Sequence, residues 1–306
     1  MPTDLLVRYE AASPTISLFI TGYHVIRAGR VPAGGHGDWL LPGNPYIRVT
    51  LDGGGSRIIT RRNHYREMPR ATVAGASSFA TKLSIDAGAS VGIGISPIGW
   101  SRLFDVAAED VADRVVPLGA LLGAAHSDRL VALLDSVDLS HPIAPMLDAF
   151  FEGAIGPANR DEGLLRDLVG VVIDERVGDI ETARSVLRLE PARLRRLSRR
   201  HFGFSPKLLL RRSRFLRSLL SVLDDEKKPG YAGISEQYTD VSHFIRDSHA
   251  FLGMTPHQFA MLRKPVFTAG LSERSKVLGA AAQGLHAIDP LPAKPVTSLL
   301  TGARSY

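Results

Sequence analysis

The chain has no cysteine among its 306 residues. That excludes disulfides, thiolate metal sites and cysteine nucleophiles, and it suits a reducing compartment, so a cytoplasmic protein is expected. There is no apolar run of about 18 residues, so no membrane span is expected. The opening MPTDLLVRYEAASP has neither a basic leader nor an apolar stretch of the signal-peptide kind, and no signal peptide is expected. Histidines 24, 36 and 64 are scattered, with no H-x-H pair and no matched carboxylate, so no metal is expected. Asp52-Gly53-Gly54-Gly55 has no following Lys-Ser/Thr and lies between two strand-like runs, which makes it a hairpin turn rather than a phosphate loop. No G-x-S-x-G nucleophile turn occurs. None of this points to an enzyme or to a cofactor.

What the sequence does have is one concentrated basic block. Residues 184–217, RSVLRLEPARLRRLSRRHFGFSPKLLLRRSRFLR, hold twelve Lys or Arg and one acid, Glu190, for a net +11. The whole chain is only +6, so the remainder is net −5. A block of this density in a helical setting is an electrostatic footprint for phosphate. Asp179 is placed to cap a short helix to about Arg188, and Glu190-Pro191 opens a second. In the second, Leu194, Leu197 and Phe202 point inward, and arginines take most of the remaining surface. Gly203 suits a left-handed helix end, and Ser205-Pro206 starts a long third helix to about Leu223. Two short helices joined by a tight turn, the second densely basic, make a helix-turn-helix.

The rest of the chain divides by pattern. Residues 1 to about 96 read as β: Ile16–Ile20, Tyr23–Ile26, Tyr46–Leu51, Arg57–Thr60, Phe79–Ile85 and Val91–Ile95 are short β-branched or aromatic runs. Turn signals at 34–35, 42–45, 52–55 and 86–88 separate them, suggesting an antiparallel sandwich or barrel. Helical patterns follow over 99–106, 118–122, 128–137, 143–154 and 162–177. Gly156-Pro157-Ala158-Asn159-Arg160 is the linker candidate. The expected division is a β-rich unit with trailing helices over 1–157, a helical unit over 161–264, and a poorly ordered tail over 265–306 that is small, polar and broken by Pro and Gly. The fold class is therefore α+β, with a β-rich barrel or sandwich first and an all-α domain after it.

Two segments match at an offset of 50: Arg196 with Arg246, Gly203 with Gly253, and Ser205-Pro206 with Thr255-Pro256. Apolar character is kept at 202 and 252 and at 204 and 254, so one helix–cap–helix unit occurs twice. The matching text is Leu194–Leu197, His201–Pro206, Arg214-Phe215, Tyr238–Arg246 and Gly253–Pro256. Over about 162–262 it resembles the DNA-binding domain of AraC/XylS-type bacterial transcription regulators, and the second-unit hallmark G-F-x-D-x-S-H-F-x-R is nearly intact. The resemblance implies two helix-turn-helix units joined by a long helix, entering successive major grooves. Gln237 stands where the family has Gly, Glu236 where an apolar residue is usual, and the expected helix Tyr231–Gln237 is short and contains Gly233. Residues 92–123 resemble, more loosely, the β-rich sensor-like domain of an uncharacterised class of these regulators.

Arg195 and Arg196 are the expected base readers, since Arg pairs bidentately with guanine O6 and N7. Val241, Ser242 and Arg246 take that role in the second groove by resemblance. Arg193, Arg199, Arg200, Lys207, Arg211 and Arg212 are expected on phosphates. His243 is expected to be structural. In the N-terminal unit, His24, His36, His64, Trp39, Tyr46 and Trp100 are the residues from which an effector pocket would be made, though aromatics on short strands are more often core. The reading is a sequence-specific, DNA-binding transcription regulator. Its expected partners are double-stranded DNA, a small-molecule effector, RNA polymerase and a second copy of the chain. A repair alkyltransferase carrying this DNA-binding type would need a cysteine acceptor, which the chain lacks. A cupin-like metal-binding protein with an accessory helical domain, and an assembly module with weakened DNA binding, stay open.

Overall fold

A computed structural model describes residues 5–29, 36–51, 56–60, 63–85, 87–223 and 231–285. The expected turns at 34–35 and 52–55, Asp86, the side chain of His36 and the last part of the tail, 286–306, lie outside these residues.

The N-terminal strands form two antiparallel sheets. They are β1 (Leu5–Glu10), β2 (Ile20–Ala28), β3 (His36–Leu40), β4 (Tyr46–Leu51), β5 (Ser56–Ile59), β6 (His64–Tyr65), β7 (Ala71–Ala74), β8 (Thr81–Ile85) and β9 (Gly88–Ile95), with β10 (Val115–Pro117) joining later. The larger sheet has the order β1-β2-β9-β4-β7-β10 and the smaller β3-β8-β5-β6. Alternation decides which face each residue takes. Tyr23, Val25, Ile47, Val49, Val91 and Ile93 share one face of the larger sheet and are buried against Leu130, Leu134, Leu147 and Phe151. Those partners come from α4 (Ala124–Asp135) and α5 (Ala144–Ala154), which follow α1 (Pro97–Leu103), α2 (Ala108–Val111) and α3 (Gly119–Leu122). The alternate residues face the smaller sheet.

Carboxylates on strands and helices lock this packing in place. Glu10 on β1 accepts from the backbone N–H groups of Ile143 and Ala144 at the start of α5, both at 2.8 Å. Asp148, within α5, accepts from the Tyr23 hydroxyl at 2.7 Å and from the Ser13 N–H at 3.1 Å. Burial and this carboxylate push the Tyr23 phenol up.

Three expectations need correction. Residues 14–19 are turns, so only Ile20 of the expected strand Ile16–Ile20 is extended; Ile16 is buried there all the same. The strands β1, β3, β6, β7 and β10 fall outside the expected runs; they are short or built of mixed residues, and cross-strand pairing rather than local preference makes them. Third, the expected tail begins as an ordered helix, α12 (Pro265–Leu278), packed on β1 and β3. Val266 and Phe267 are buried, the first with Ile26, Ile58 and Leu83 of the two sheets. The start of α12 is satisfied from a distance. Asp38 of β3, only 1% exposed, accepts from the N–H groups of Val266 at 2.7 Å and Phe267 at 3.0 Å. A carboxylate at a helix N-terminus binds those orphan donors and meets the positive end of the dipole. No local cap signals this, because the capping residue lies on another element.

The helical part comprises α6 (Glu162–Ile173), α7 (Ile180–Leu187), α8 (Pro191–Phe202), α9 (Pro206–Leu223), α10 (Val241–Leu252) and α11 (Pro256–Met261). Its first core joins Leu165, Leu168, Leu194, Leu197 and Leu209, and Ile98 of α1 belongs to it. Its second joins Phe215, Phe244, Phe251 and Phe259, with Trp39, Leu41 and Ala80 of the β unit packed alongside.

Asp38→Ala leaves two helix-start N–H groups buried without acceptors. It is expected to cost roughly 2–3 kcal/mol and to expose α12 to proteolysis; denaturant unfolding and limited digestion of the full chain check both.

Candidate nucleic-acid interface

The first helix-turn-helix is built from α7 and α8 as the sequence suggests. Asp179 caps α7 by accepting from Glu181 N–H at 2.8 Å and Thr182 N–H at 2.9 Å, and these bonds hold its carboxyl below the usual range. Arg188 ends α7 in the left-handed region, at φ 52°. On α8 the inner face is Leu194, Leu197, Ser198, His201 and Phe202. The outer face is Arg193, Arg195, Arg196, Arg199 and Arg200, all exposed.

The internal repeat is visible atom by atom. Gly203 and Gly253 end α8 and α10 at φ 84° and 78°, a conformation that costs glycine little. Ser198 is buried and donates to the Phe204 carbonyl at 2.6 Å; Ser248, fifty positions on, is buried and donates to the Met254 carbonyl at 2.7 Å. The serine pair is a further match at the same offset, beyond those singled out from the sequence. Thr255 and Gln258 form a capping box at the start of α11.

The second unit departs from regular form. Residues 231–240 run as turns and bends, so the expected short helix Tyr231–Gln237 is absent among the described residues. Aromatic packing replaces it: Tyr231 and Tyr238 both set their edges against Phe244, at 6.0 and 5.4 Å between centroids. Gln237 takes a connecting role, its amide donating to the Glu175 carbonyl of the first unit. Asp247 is the hub of this unit and is 1% exposed. It accepts from Arg211 Nε at 2.7 Å, Arg214 Nη2 at 3.3 Å and the Tyr238 hydroxyl at 2.8 Å. It thereby ties α9, the 231–240 segment and α10 together. An acid among the aromatics of α10 is the sequence signal for it.

Of the five expected base readers, Arg195, Arg196, Ser242, Arg246 and Val241 are all exposed, the last at 37%. Among the described residues no ion pair holds Arg195, Arg196 or Arg246. His243 is half-buried, edge-on to Tyr238 at 5.0 Å, in line with a structural role. The expected phosphate contacts divide. Arg200 and Lys207 are exposed, with no ion-pair partner among the described residues. Arg193 makes a long pair with Asp161 at 3.4 Å. Arg211 is held by Asp247 and lies over Phe251. Arg199 Nε donates to Glu109 of α2 at 2.5 Å, so an acid of the N-terminal unit occupies it. Arg212 is a correction. It is 1% exposed and points into the β unit, donating to the carbonyls of Gly43 at 3.0 Å and Ser77 at 3.1 Å and to Asn44 Oδ1 at 3.4 Å. Burial lowers its pKa to about 10, with Asp113 opposing. Helical spacing put it among basic neighbours, but that face of α9 is covered.

Between the two units lies a cleft of about 640 Å³. Its walls are the start of α7 at Asp179, the α9 residues Lys207, Arg211 and Arg214, and His243 and Arg246 of α10. Basic groups of α9 and α10 therefore converge on one concavity, with Asp179 and Asp247 also in its walls. In the N-terminal unit, His24, Trp39 and Tyr46 line a separate cavity. Trp100 does not: it is buried in the helix-side core and donates to the Val106 carbonyl at 2.8 Å. His64 is exposed on β6. Among the described residues no three His, Asp or Glu gather as a metal site, and no helix is long and apolar enough to cross a membrane.

No protein-family model matches the chain, and no curated protein matches it. Solved structures of ToxT from Vibrio cholerae are similar in fold. An apo structure of a single-residue ToxT variant is 13% identical at a TM-score of 0.43, over 82% of this chain and 98% of ToxT. A second ToxT crystal form is 14% identical at 0.43, over 78% and 97%. ToxT with an unsaturated fatty acid bound is 12% identical at 0.41, over 86% and 97%. At this identity, and at TM-scores below 0.5, the likeness carries no argument, and the function of this chain rests on its own residues.

Arg212→Ala strips a donor from two buried carbonyls and is expected to lower stability by roughly 3 kcal/mol, whereas Arg200→Ala stays within about 0.5 kcal/mol; unfolding titrations compare them. His201 on α8 is 3% exposed, and its pKa is lowered to about 4, chiefly by burial and then by Arg200. Folding thus favours the neutral ring. As pH falls from about 6.5 to 4 the unfolded chain takes up a proton that the folded chain refuses, so stability is lost over that window. The loss is roughly 2–3 kcal/mol, and His201→Phe is expected to flatten the profile by about one proton.

Proposed function

We propose that this chain is a sequence-specific, double-stranded-DNA-binding transcription regulator of the AraC/XylS type, in which an N-terminal β-rich unit senses an effector. The observation that carries this is the exposed basic face of α8, together with the helix–cap–helix repeat that puts Arg246 on α10 fifty residues after Arg196; Arg195, Arg196 and Arg246 are exposed and outside any ion pair of the described residues. An arginine without an internal partner, on a helix whose other face is core, is positioned for base edges or phosphates. The cleft between the units carries Lys207, Arg211 and Arg246 and suits the phosphate backbone that separates two successive grooves. In this reading residues 1–157 sense and residues 161–264 bind DNA; RNA polymerase and a second copy remain expected partners of such a regulator.

Arg199 and Arg212 refine the contact set. Arg199 reaches phosphate after release from Glu109, and Arg212 makes no DNA contact. The phosphate set is then Arg193, Arg199, Arg200, Lys207 and Arg211.

The test is a binding titration against DNA selected in vitro. Five phosphate contacts give a slope of log K on log salt near about −4.5. Arg196→Ala is expected to cost about 1–3 kcal/mol on the best site and to relax preference at one base pair. Arg199→Ala is expected to weaken all sequences alike and to flatten the slope by about one. A slope near zero, or base preference that follows Arg199 instead of Arg196, overturns this placement of α8.

A further inference from the structure

The larger sheet turns one set of alternate residues toward α4 and α5. The other set, Tyr9, His24, Tyr46 and Arg48 among them, faces a cavity of about 140 Å³. Ile58 of the smaller sheet lines the opposite side, and α12 adds Phe267, Leu271 and Arg274. His24 is half-buried and faces this open space. Its ring lies so close to β9 that a Cβ on Gly92 would sit 2.0 Å from it, so the glycine keeps the ring in place.

Two guanidiniums face the cavity with donors unused. Arg48 is 2% exposed, and its Nε and Nη1 have no hydrogen-bond partner among the described residues. Arg274 is 7% exposed, and its Nε and Nη2 have none among them. Neither makes an ion pair among the described residues. Their company is aromatic: the Arg48 guanidinium carbon is 5.6 Å from the Tyr46 ring centroid, and that of Arg274 is 5.8 Å from that of Tyr9, whose hydroxyl favours the charged form of Arg274. Arginine does not shed its proton to escape burial. Two buried like charges with unused donors are costly unless an anion joins them. His24 beside them is held neutral, its pKa lowered to about 3 by burial first and then by Arg48 and Arg274, so it adds no third charge and can hydrogen-bond.

We propose that this cavity binds a small aromatic or short aliphatic monocarboxylate, with its carboxylate between Arg48 and Arg274 and its apolar body against Ile58, Phe267 and Leu271. Guanidinium and carboxylate match as forked donor and paired acceptor. The volume is close to that of a cavity that takes benzene, about 150 Å³, which sets the ligand's apolar body at about one ring. The side made by Ile58, Phe267 and Leu271 suits an apolar body better than a bare inorganic anion; Asp113 and Arg114 line the same cavity. The proposal deepens the effector-sensing half of the proposed function and is independent of base reading. Because Arg274 sits on α12, directly after the second DNA-binding unit, the ligand fastens that unit's C-terminal end to the β-rich sheet.

The experiment is thermal unfolding of the full chain with benzoate, hexanoate, benzamide or inorganic phosphate, followed by DNA titration of the same samples. At a hundredfold excess over its Kd, benzoate is expected to raise Tm by roughly 5 °C, and benzamide not at all. Arg48→Met and Arg274→Met are expected to melt no lower than the parent without ligand, since each removes an unpaired buried charge, and to lose the benzoate shift. The proposal fails if neither carboxylate shifts Tm, if benzamide matches benzoate, or if phosphate alone acts. It also fails if both Met variants melt well below the parent, which makes the guanidiniums structural. A chain that binds benzoate but no DNA keeps the pocket and sinks the regulator; one that binds DNA but no carboxylate does the reverse.

Discussion

Arg212 is the constraint on which the arrangement of the two halves depends. It sits on the long helix that joins the two helix-turn-helix units, yet its guanidinium is buried against carbonyls of the 43–44 and 77 loops. The same loops are cross-tied, Gly43 N–H to the Ser77 hydroxyl at 3.0 Å and Ser77 N–H to the Gly43 carbonyl at 3.0 Å. A buried charge tolerates little misplacement, because each lost acceptor leaves a donor unsatisfied. The helix that sets the spacing of the two units is therefore held by the β unit itself. Ala80 N–H donating to the Phe251 carbonyl extends that hold to the second unit.

This anchoring places the first unit against α2. Gly203, at the end of α8, lies under Ala76, Ala108 and Ala112, where a Cβ would meet neighbours at 3.3–3.4 Å. Arg199 then falls beside Glu109. The pair is partly exposed, which makes it weak in water and easily exchanged for a phosphate. The basic outer face of α8 stays free while its C-terminal end is docked. Contact between the β unit and α8 thus runs through small residues and one exchangeable ion pair.

The second link between the halves is α12. It leaves the helical unit after α11 and lays Val266, Phe267 and Arg274 into the space between the sheets. Asp38 holds its start. The β unit is consequently completed by a segment from far along the chain, and its cavity has walls from both the early strands and this late helix. Whatever occupies that cavity touches β4 and α12 together.

Local pattern was enough for the helical part, because capping and apolar spacing are short-range. The bounds of α9, the cap at Asp179, the left-handed glycines and the fifty-residue repeat were all legible, as was the basic outer face of α8. The antiparallel character of the N-terminal unit was also legible from alternation in runs such as Tyr46–Leu51. Where a polar residue in that alternation ends up was not. Arg48 reads as the solvent side of a strand, and only the second sheet and α12 turn that side into an interior. Arg212 reads as one more surface cation, and only the docking of α9 on the 43–44 and 77 loops buries it. The small, Pro- and Gly-broken stretch from Pro265 on reads as a tail, and only the remote carboxylate of Asp38 gives its first third, a helix, a place to sit. Periodicity states which residues share a face; what covers the face is decided by segments far away in the chain, and burial, charge and partner all depend on that covering.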